Sequence, residues 1–264
     1  YDRNKELMET VGVNVTHDAS FCRCVNGEID LFLEEERLSR KKHDNMPVKT
    51  VLEFQENNFA GVTGLEYHDY SLRDTCNFFD VIFRKKIPDH DYRTYNQHHY
   101  LHACCGFYNS GFEEADVVVV DGLGNFFDEE HHECATRWHI KKPSEIKLLE
   151  RQGASRFGTK TDRHGYWPMG IGMAYASISD YLGFGQLGSG KVMGLAPYGK
   201  EDPNIKPFVI DGRVNSKLFY RTKYSANFIP YDYLPEKVSV KDQRFMNLAY
   251  RLQKDFEKWM TDFI

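Results

Sequence analysis

The sequence predicts a mixed α/β protein that opens on an antiparallel set of strands. Three features carry that reading: an Asn26-Gly27 hairpin signature between two strand-like runs, a short unbroken apolar run at 116–121 (DVVVVD), and a long amphipathic stretch from about Lys241 to Ile264. Strand signals come first and helical periodicity later, with no regular βαβ alternation and no internal repeat. A chain of 264 residues is long enough for one large or two modest domains with a sizeable core.

In chain order, residues 11–16, 21–25 and 28–33 read as three strands. Asn26-Gly27 joins the last two because a type I′ turn needs positive φ at both central residues. After EEERLSRKKHD, Met46-Pro47 marks a boundary, and Val48, Val51, Leu52 and Phe54 recur at helical spacing over 48–59. A second helix is expected near 98–108. The DVVVVD run suits a strand buried on both faces that ends at Asp121-Gly122. Shorter strands follow at 134–140 and 146–151, then a helix at 172–182, the glycine-rich GFGQLGSGKVMGLAPYGK, and the final helix. In that helix Phe245, Leu248, Leu252, Phe256, Trp259 and Phe263 form an apolar stripe. The stripe is expected to need a partner surface from further chain and to be exposed without it. Residues 1–10 and 129–165 match no pattern that assigns them a role.

Hydrophobic residues at 41% and charged residues at 28% describe an ordinary globular chain, which excludes a disordered or fibrous one. With 34 basic against 39 acidic side chains the net charge is -5, giving no overall attraction to polyphosphate or to an anionic membrane. Cys22, Cys24, Cys76, Cys104, Cys105 and Cys134 form no CxxC pair and read as free thiols of a reducing compartment. The charged start and the lack of any run of 18 apolar residues predict a cytoplasmic protein with no signal peptide and no membrane span. Because the chain starts at Tyr1 and ends within a helical pattern, it is expected to be part of a longer protein.

Four segments hold residues suited to chemistry. In NQHHYLHACCGFY, His98 and His102 are four apart and share one face of a helix, whereas His99 points elsewhere. Asp121 offers a carboxylate where the apolar strand ends. Two imidazoles and a carboxylate suit Fe(II), Mn(II) or Zn(II) with positions left open, although the spacing alone is also that of a surface histidine pair. His17-Asp18 follows a strand and suits a general base or a capped turn. Arg37, Arg40, Lys41 and Lys42 form a basic cluster among Glu34, Glu35, Glu36 and His43, suited to a phosphate clamp or to a solvated helix face. GQLGSGK has GxxxxGK spacing, but Val192 replaces the Ser or Thr of a P-loop and a helix precedes it, which leaves only general anion binding. Gly170-Ile171-Gly172 lacks a third glycine and reads as a helix start.

Together GVNVTHDAS, VNGEIDLFLEEERLSRKKHD, HHYLHACCGFYNSGFEEADVVVVDGLG and GSGKVMGLAPYGK, in this order from about Val11 to Lys200, resemble the O-carbamoyltransferases of the nodulation-protein and antibiotic-tailoring type. Their catalytic domain is similar to the universal tRNA threonylcarbamoyl transferase subunit. The resemblance implies an actin-like, RNase H-like ATPase (ASKHA) fold, a mixed sheet with helices, of which residues 1–264 would be the N-terminal part. The second half and any carbamoyl-adenylate-forming domain would lie beyond 264. It implies metal ligation by His98, His102 and Asp121, with Fe(II) first and Mn or Zn as alternatives, and catalytic roles for His17 and Lys42. It further implies ATP contacts at Gly190, Lys191 and Gly194. The partners implied are carbamoyl phosphate, ATP and a hydroxyl-bearing small-molecule or nucleobase acceptor. Two other readings stand beside it: a nucleotide- and metal-binding scaffold without catalysis, and a tRNA threonylcarbamoyl transferase.

Overall fold

The computed structural model describes residues 9–15, 18–55, 64–67, 98–155, 165–221, 226–229 and 238–264. The chain is a mixed α/β protein that divides into two compact units, residues 1–92 and 93–264.

The first unit holds β1 (Glu9–Val15), β2 (Ser20–Val25), β3 (Glu28–Glu34), α1 (Glu35–Ser39), α2 (Val48–Gln55) and β4 (Gly64–Tyr67). The sheet order is β3-β2-β1-β4, antiparallel through β3, β2 and β1 and parallel between β1 and β4. Asn26 and Gly27 take φ of 53° and 88°, the left-handed pair that an Asn-Gly hairpin turn requires. Val11, Val13 and Phe21 are buried, as the period-2 alternation demands. Glu35 is buried too, and its carboxylate accepts from Lys49 N (3.1 Å), Thr50 N (2.8 Å) and Thr50 Oγ1 (3.0 Å). It thereby satisfies donors at the start of α2 that have no partner within the helix. The expected extension of α2 beyond residue 55 lies outside the described residues.

The second unit begins with α3 (His98–Ser110), β5 (Glu114–Val120), β6 (His131–Lys141) and β7 (Glu145–Ser155), an antiparallel sheet of order β5-β6-β7. The valines of β5 alternate between two cores. Val119 joins Ala103 and Phe107 of α3 with Trp138 and Ile140, whereas Val118 and Val120 pack into the larger core. That core is completed by α4 (Ile171–Tyr181), α5 (Ser189–Leu195), the short pairs β8 (Val209–Ile210) with β9 (Arg213–Val214) and β10 (Phe219–Arg221) with β11 (Ala226–Phe228), and α6 (Gln243–Phe263).

The stripe of α6 is a correction to the sequence reading. Phe245, Leu248, Leu252, Trp259 and Phe263 are all buried in the larger core, among residues such as Ile178, Val192 and Phe208. The partner surface comes from α4, α5 and the Ala196–Tyr198 turn of the same unit, so no further chain is needed to cover it. Burial of each large apolar side chain contributes roughly 1.5–3 kcal/mol, which favours this packing over a wet stripe. The glycine-rich segment also departs from an open loop. After left-handed Gly183 and Gly185 it folds as α5, which carries Gly190, Lys191 and Gly194 on exposed positions. Among the described residues no helix is long and apolar enough to cross a membrane, and Cys22, Cys24, Cys104, Cys105 and Cys134 are free thiols.

Candidate metal centre

The site lies in the second unit, where the start of α3 meets the end of β5. Asn125 fixes the helix start, its side-chain oxygen accepting from His98 N at 2.9 Å. From there the helical repeat carries His98 and His102 to one face, with their Nε2 atoms 3.2 Å apart. Asp121 follows the last residue of β5. Its N–H donates to Cys134 O of β6 (3.1 Å), and its Oδ1 accepts from Gly122 N (2.6 Å). This leaves Oδ2 at 2.7 Å from His98 Nε2.

A proton count shows what this arrangement suits. His98 Nε2 faces both a carboxylate oxygen and a second imidazole nitrogen, and a ring nitrogen carries at most one hydrogen to share between them. A cation satisfies all three atoms at once. The ligand atoms of His98, His102 and Asp121 lie within 4.8 Å of one another. Two ligands of one ion, each about 2.1 Å from it, sit no more than roughly 4.2 Å apart, so the 2.7 and 3.2 Å pairs fit a common ion. Burial works against the Asp121 charge. The hydrogen bond and charge of His98, the Gly122 N–H and the charge of His102 outweigh it and hold the carboxyl well below the usual carboxylate range. A carboxylate held ionised at neutral pH beside two imidazoles suits a divalent transition metal.

The layer behind the cluster is built from residues that the sequence reading did not single out. His99 is fully buried, with Nδ1 2.9 Å from Thr136 Oγ1, which also accepts from Trp138 Nε1 (2.8 Å). Burial pushes the His99 imidazole down to about 4, so it is neutral at pH 7 and ties α3 to β6. Gly124 touches the same ring: a Cβ there would lie 2.8 Å from His99 Cδ2. Nearby, buried Glu133 has Oε1 3.1 Å from Arg151 Nε, and the Arg151 guanidinium lies 5.1 Å from the Phe127 ring centroid.

Gly170-Ile171-Gly172 starts α4, as the sequence suggests, and its glycines have a further purpose. A Cβ on Gly172 would sit 2.4 Å from Asp121 O, and one on Gly170 would sit 2.6 Å from Cys134 Cβ. The helix start therefore presses directly on the backbone that carries Asp121. For Gly172→Ala, the usual helix-propensity gain of about 1 kcal/mol opposes an overlap costing roughly 1–3 kcal/mol. We expect net destabilisation in denaturant titration and a metal affinity about ten-fold lower, the scale of a disturbed supporting shell. A more stable variant with unchanged affinity would show that the contact does not constrain the site. A cavity of 580 Å³ is lined by Cys134, Gly170, Trp167, Met169, Arg213 and Trp259 among others.

Of the residues singled out from sequence, His98, His102 and Asp121 come together. Lys42 is exposed in the first unit, and Gly190, Lys191 and Gly194 lie on α5 of the second, where a Cβ on either glycine would meet only open space. His17 lies outside the described residues. Asn125 left no signal beyond its residue type, and Gly172 was read only as part of a helix start.

Comparison with known proteins agrees with the family resemblance read from the sequence. The chain is 25% identical over 216 residues to nodulation protein NolNO of Sinorhizobium fredii, covering 71% of this chain and 28% of that protein. It is 33% identical over 107 residues to nodulation protein NolO of Bradyrhizobium diazoefficiens, covering 40% and 16% of the two chains. An uncharacterized protein of Synechocystis sp. is 27% identical over 130 residues, covering 47% and 17%. The chain thus spans less than a third of the length of each of these curated relatives. The family model for the carbamoyltransferase N-terminus matches residues 49–231, well over half of the chain and the whole of the histidine–aspartate cluster. By that match the chain belongs to the carbamoyltransferase family.

Proposed function

We propose that this chain is the metal-holding N-terminal part of an enzyme that transfers a carbamoyl group from carbamoyl phosphate, through a carbamoyl-adenylate made with ATP, to a hydroxyl of a small molecule or nucleobase. The observation that carries the reading is the convergence of His98, His102 and Asp121 in a chain of this family. The proposal includes an actin-like fold shared with chain beyond residue 264, and a cytoplasmic location. His98, His102 and Asp121 would hold a divalent transition metal, Fe(II) first, with Mn(II) or Zn(II) also suited to the donors. When bound, such an ion supplies a Lewis acid for a carbonyl or phosphate oxygen.

This chain's own residues would do the rest. The acceptor oxygen bonds to the carbamoyl carbon, the bond from that carbon to the AMP phosphate oxygen breaks, and the hydroxyl proton passes to the His17 imidazole. Lys42 offsets the negative charge that develops as the bond forms. The exposed face of α5 would lie along the nucleotide, with Lys191 supplying charge and Gly190 and Gly194 leaving room for close approach. The cavity lined by Cys134 and Gly170 offers space for a small molecule in the same unit.

The test is to supply the full-length protein with carbamoyl phosphate and ATP and to follow nucleotide cleavage and carbamoylation across hydroxylated acceptors. In that assay His17→Ala and Lys42→Ala are expected to fold normally and to lose about a hundred-fold or more in transfer rate, the scale of losing a general base or an electrostatic stabiliser. A fully active His17→Ala would return that histidine to a capped-turn role.

A further inference from the structure

We infer that Asp18 and His43 form a latch that fixes the basic loop carrying Lys42 against the turn at Asp18-Ala19, and so act as positioning residues for carbamoyl transfer; the inference rests on the reading of function above. The two side chains are 25 residues apart in sequence and meet at 2.7 Å, His43 Nδ1 to Asp18 Oδ1. A carboxylate only accepts, so Nδ1 carries the hydrogen and the ring orientation is set. Both residues are in the left-handed region, Asp18 at φ 64° and His43 at φ 55°. Residues other than glycine hold that conformation where their surroundings over-determine it, and here it occurs at both ends of one hydrogen bond.

The surroundings are visible on each side. The Asp18 carbonyl accepts from Asn14 Nδ2 (3.1 Å), and the neighbouring, fully buried Ala19 donates to Asp44 O and accepts from Glu35 N, each at 2.8 Å. His43 N donates to Glu36 Oε2 at 3.2 Å. The strand-end turn and the basic loop are therefore joined by one backbone hydrogen bond and one side-chain pair, with Glu35 of α1 bonded to the turn and Glu36 to the loop. Adjacent Cα atoms are about 3.8 Å apart across a peptide bond, so fixing His43 confines Lys42, the residue that precedes it. The same loop carries two lysines. Both are exposed, and Lys41 Nζ lies 3.6 Å from Asp44 Oδ1. The chemistry assigned to His17 and Lys42 needs both groups near one reacting carbon, and misplacement by about 1 Å is enough to cost roughly a hundred-fold in rate.

Two substitutions in the full-length protein test the latch. Asp18→Asn keeps the acceptor oxygen. Asp18→Gly removes it while tolerating positive φ, so the backbone itself is not penalised. With a latch, Asp18→Gly loses about ten-fold or more in kcat with KM changed less than two-fold, and Asp18→Asn stays within about three-fold of wild type. Amide hydrogen exchange at Ala19 and His43, measured without substrates, is expected to accelerate in Asp18→Gly alone. Wild-type kcat or unchanged exchange in Asp18→Gly would overturn the latch, and so would an Asp18→Asn as impaired as Asp18→Gly. If the wild type transfers no carbamoyl group to any acceptor, the reading of function fails, and the exchange measurement still decides whether the latch exists.

Discussion

Asp121→Ala is expected to lower the affinity of the protein for a divalent transition metal about a thousand-fold, beyond the ten- to hundred-fold typical of outer-shell changes. The carboxylate is the one charged donor of the cluster, and its Oδ2 is 2.7 Å from His98 Nε2, so its removal takes away both a ligand and the group that neutralises the ion. His98→Ala removes the donor at the centre of the cluster, while His102→Ala removes an exposed one and spares the fold. Elemental analysis of purified wild type should find one transition metal per chain. Equal metal content in wild type and His102→Ala would sink the assignment. Because Asp121 is held below the usual carboxylate range, mild acid is expected to leave its charge in place.

The second large effect is on stability. Arg151→Met is expected to destabilise the protein by about 3–5 kcal/mol, the cost of leaving a buried charge without its partner. Glu133 is fully buried, and Arg151 Nε approaches its Oε1 to 3.1 Å without the alignment of a hydrogen bond. Burial already pushes the Glu133 carboxyl upward, and the Arg151 charge is the main force opposing it. Without Arg151 the folded-state pKa rises further above the unfolded value. The penalty is then small below the ordinary glutamate range, where Glu133 is protonated, and grows as pH rises through the elevated folded pKa. Denaturant unfolding at pH 7 and pH 4.5 should show the difference, and Glu133→Gln added to Arg151→Met should recover most of the loss. A single variant that loses less than about 1 kcal/mol at pH 7 would mean that water already solvates the pair.

The parts of the fold legible in the sequence are those set by local rules. Asn26-Gly27 specifies its own turn, the valines of 117–120 specify a strand with two covered faces, and a four-residue spacing puts His98 and His102 side by side. What a local pattern leaves open is which surface an element meets. The α6 stripe was correctly periodic, yet periodicity says nothing about whether its partner lies in the same unit or beyond it, and the structure supplies α4 and α5. The four residues of β4 pair in parallel with β1, a long-range contact that carries no turn signature. Asn125 looked like any loop asparagine, because its capping role exists only once α3 is brought to it. The glycine-rich segment has the spacing but not the residues of a phosphate loop, and its central residues are helical.

The close approach of α4 to the Asp121 backbone has a practical consequence for mapping the site. A scan that truncates side chains to alanine finds positions where atoms are needed, and it treats glycine as having nothing to lose. At Gly124, Gly170 and Gly172 the requirement is for absence: a single methyl group would meet the His99 ring, the Cys134 side chain or the Asp121 carbonyl at 2.8, 2.6 or 2.4 Å. Substitutions that add mass are the ones that probe these positions. Saturation libraries should therefore show intolerance around His98, His102 and Asp121 in residues that contribute no functional group at all, and an engineer altering this cluster has least freedom where the sequence looks most empty.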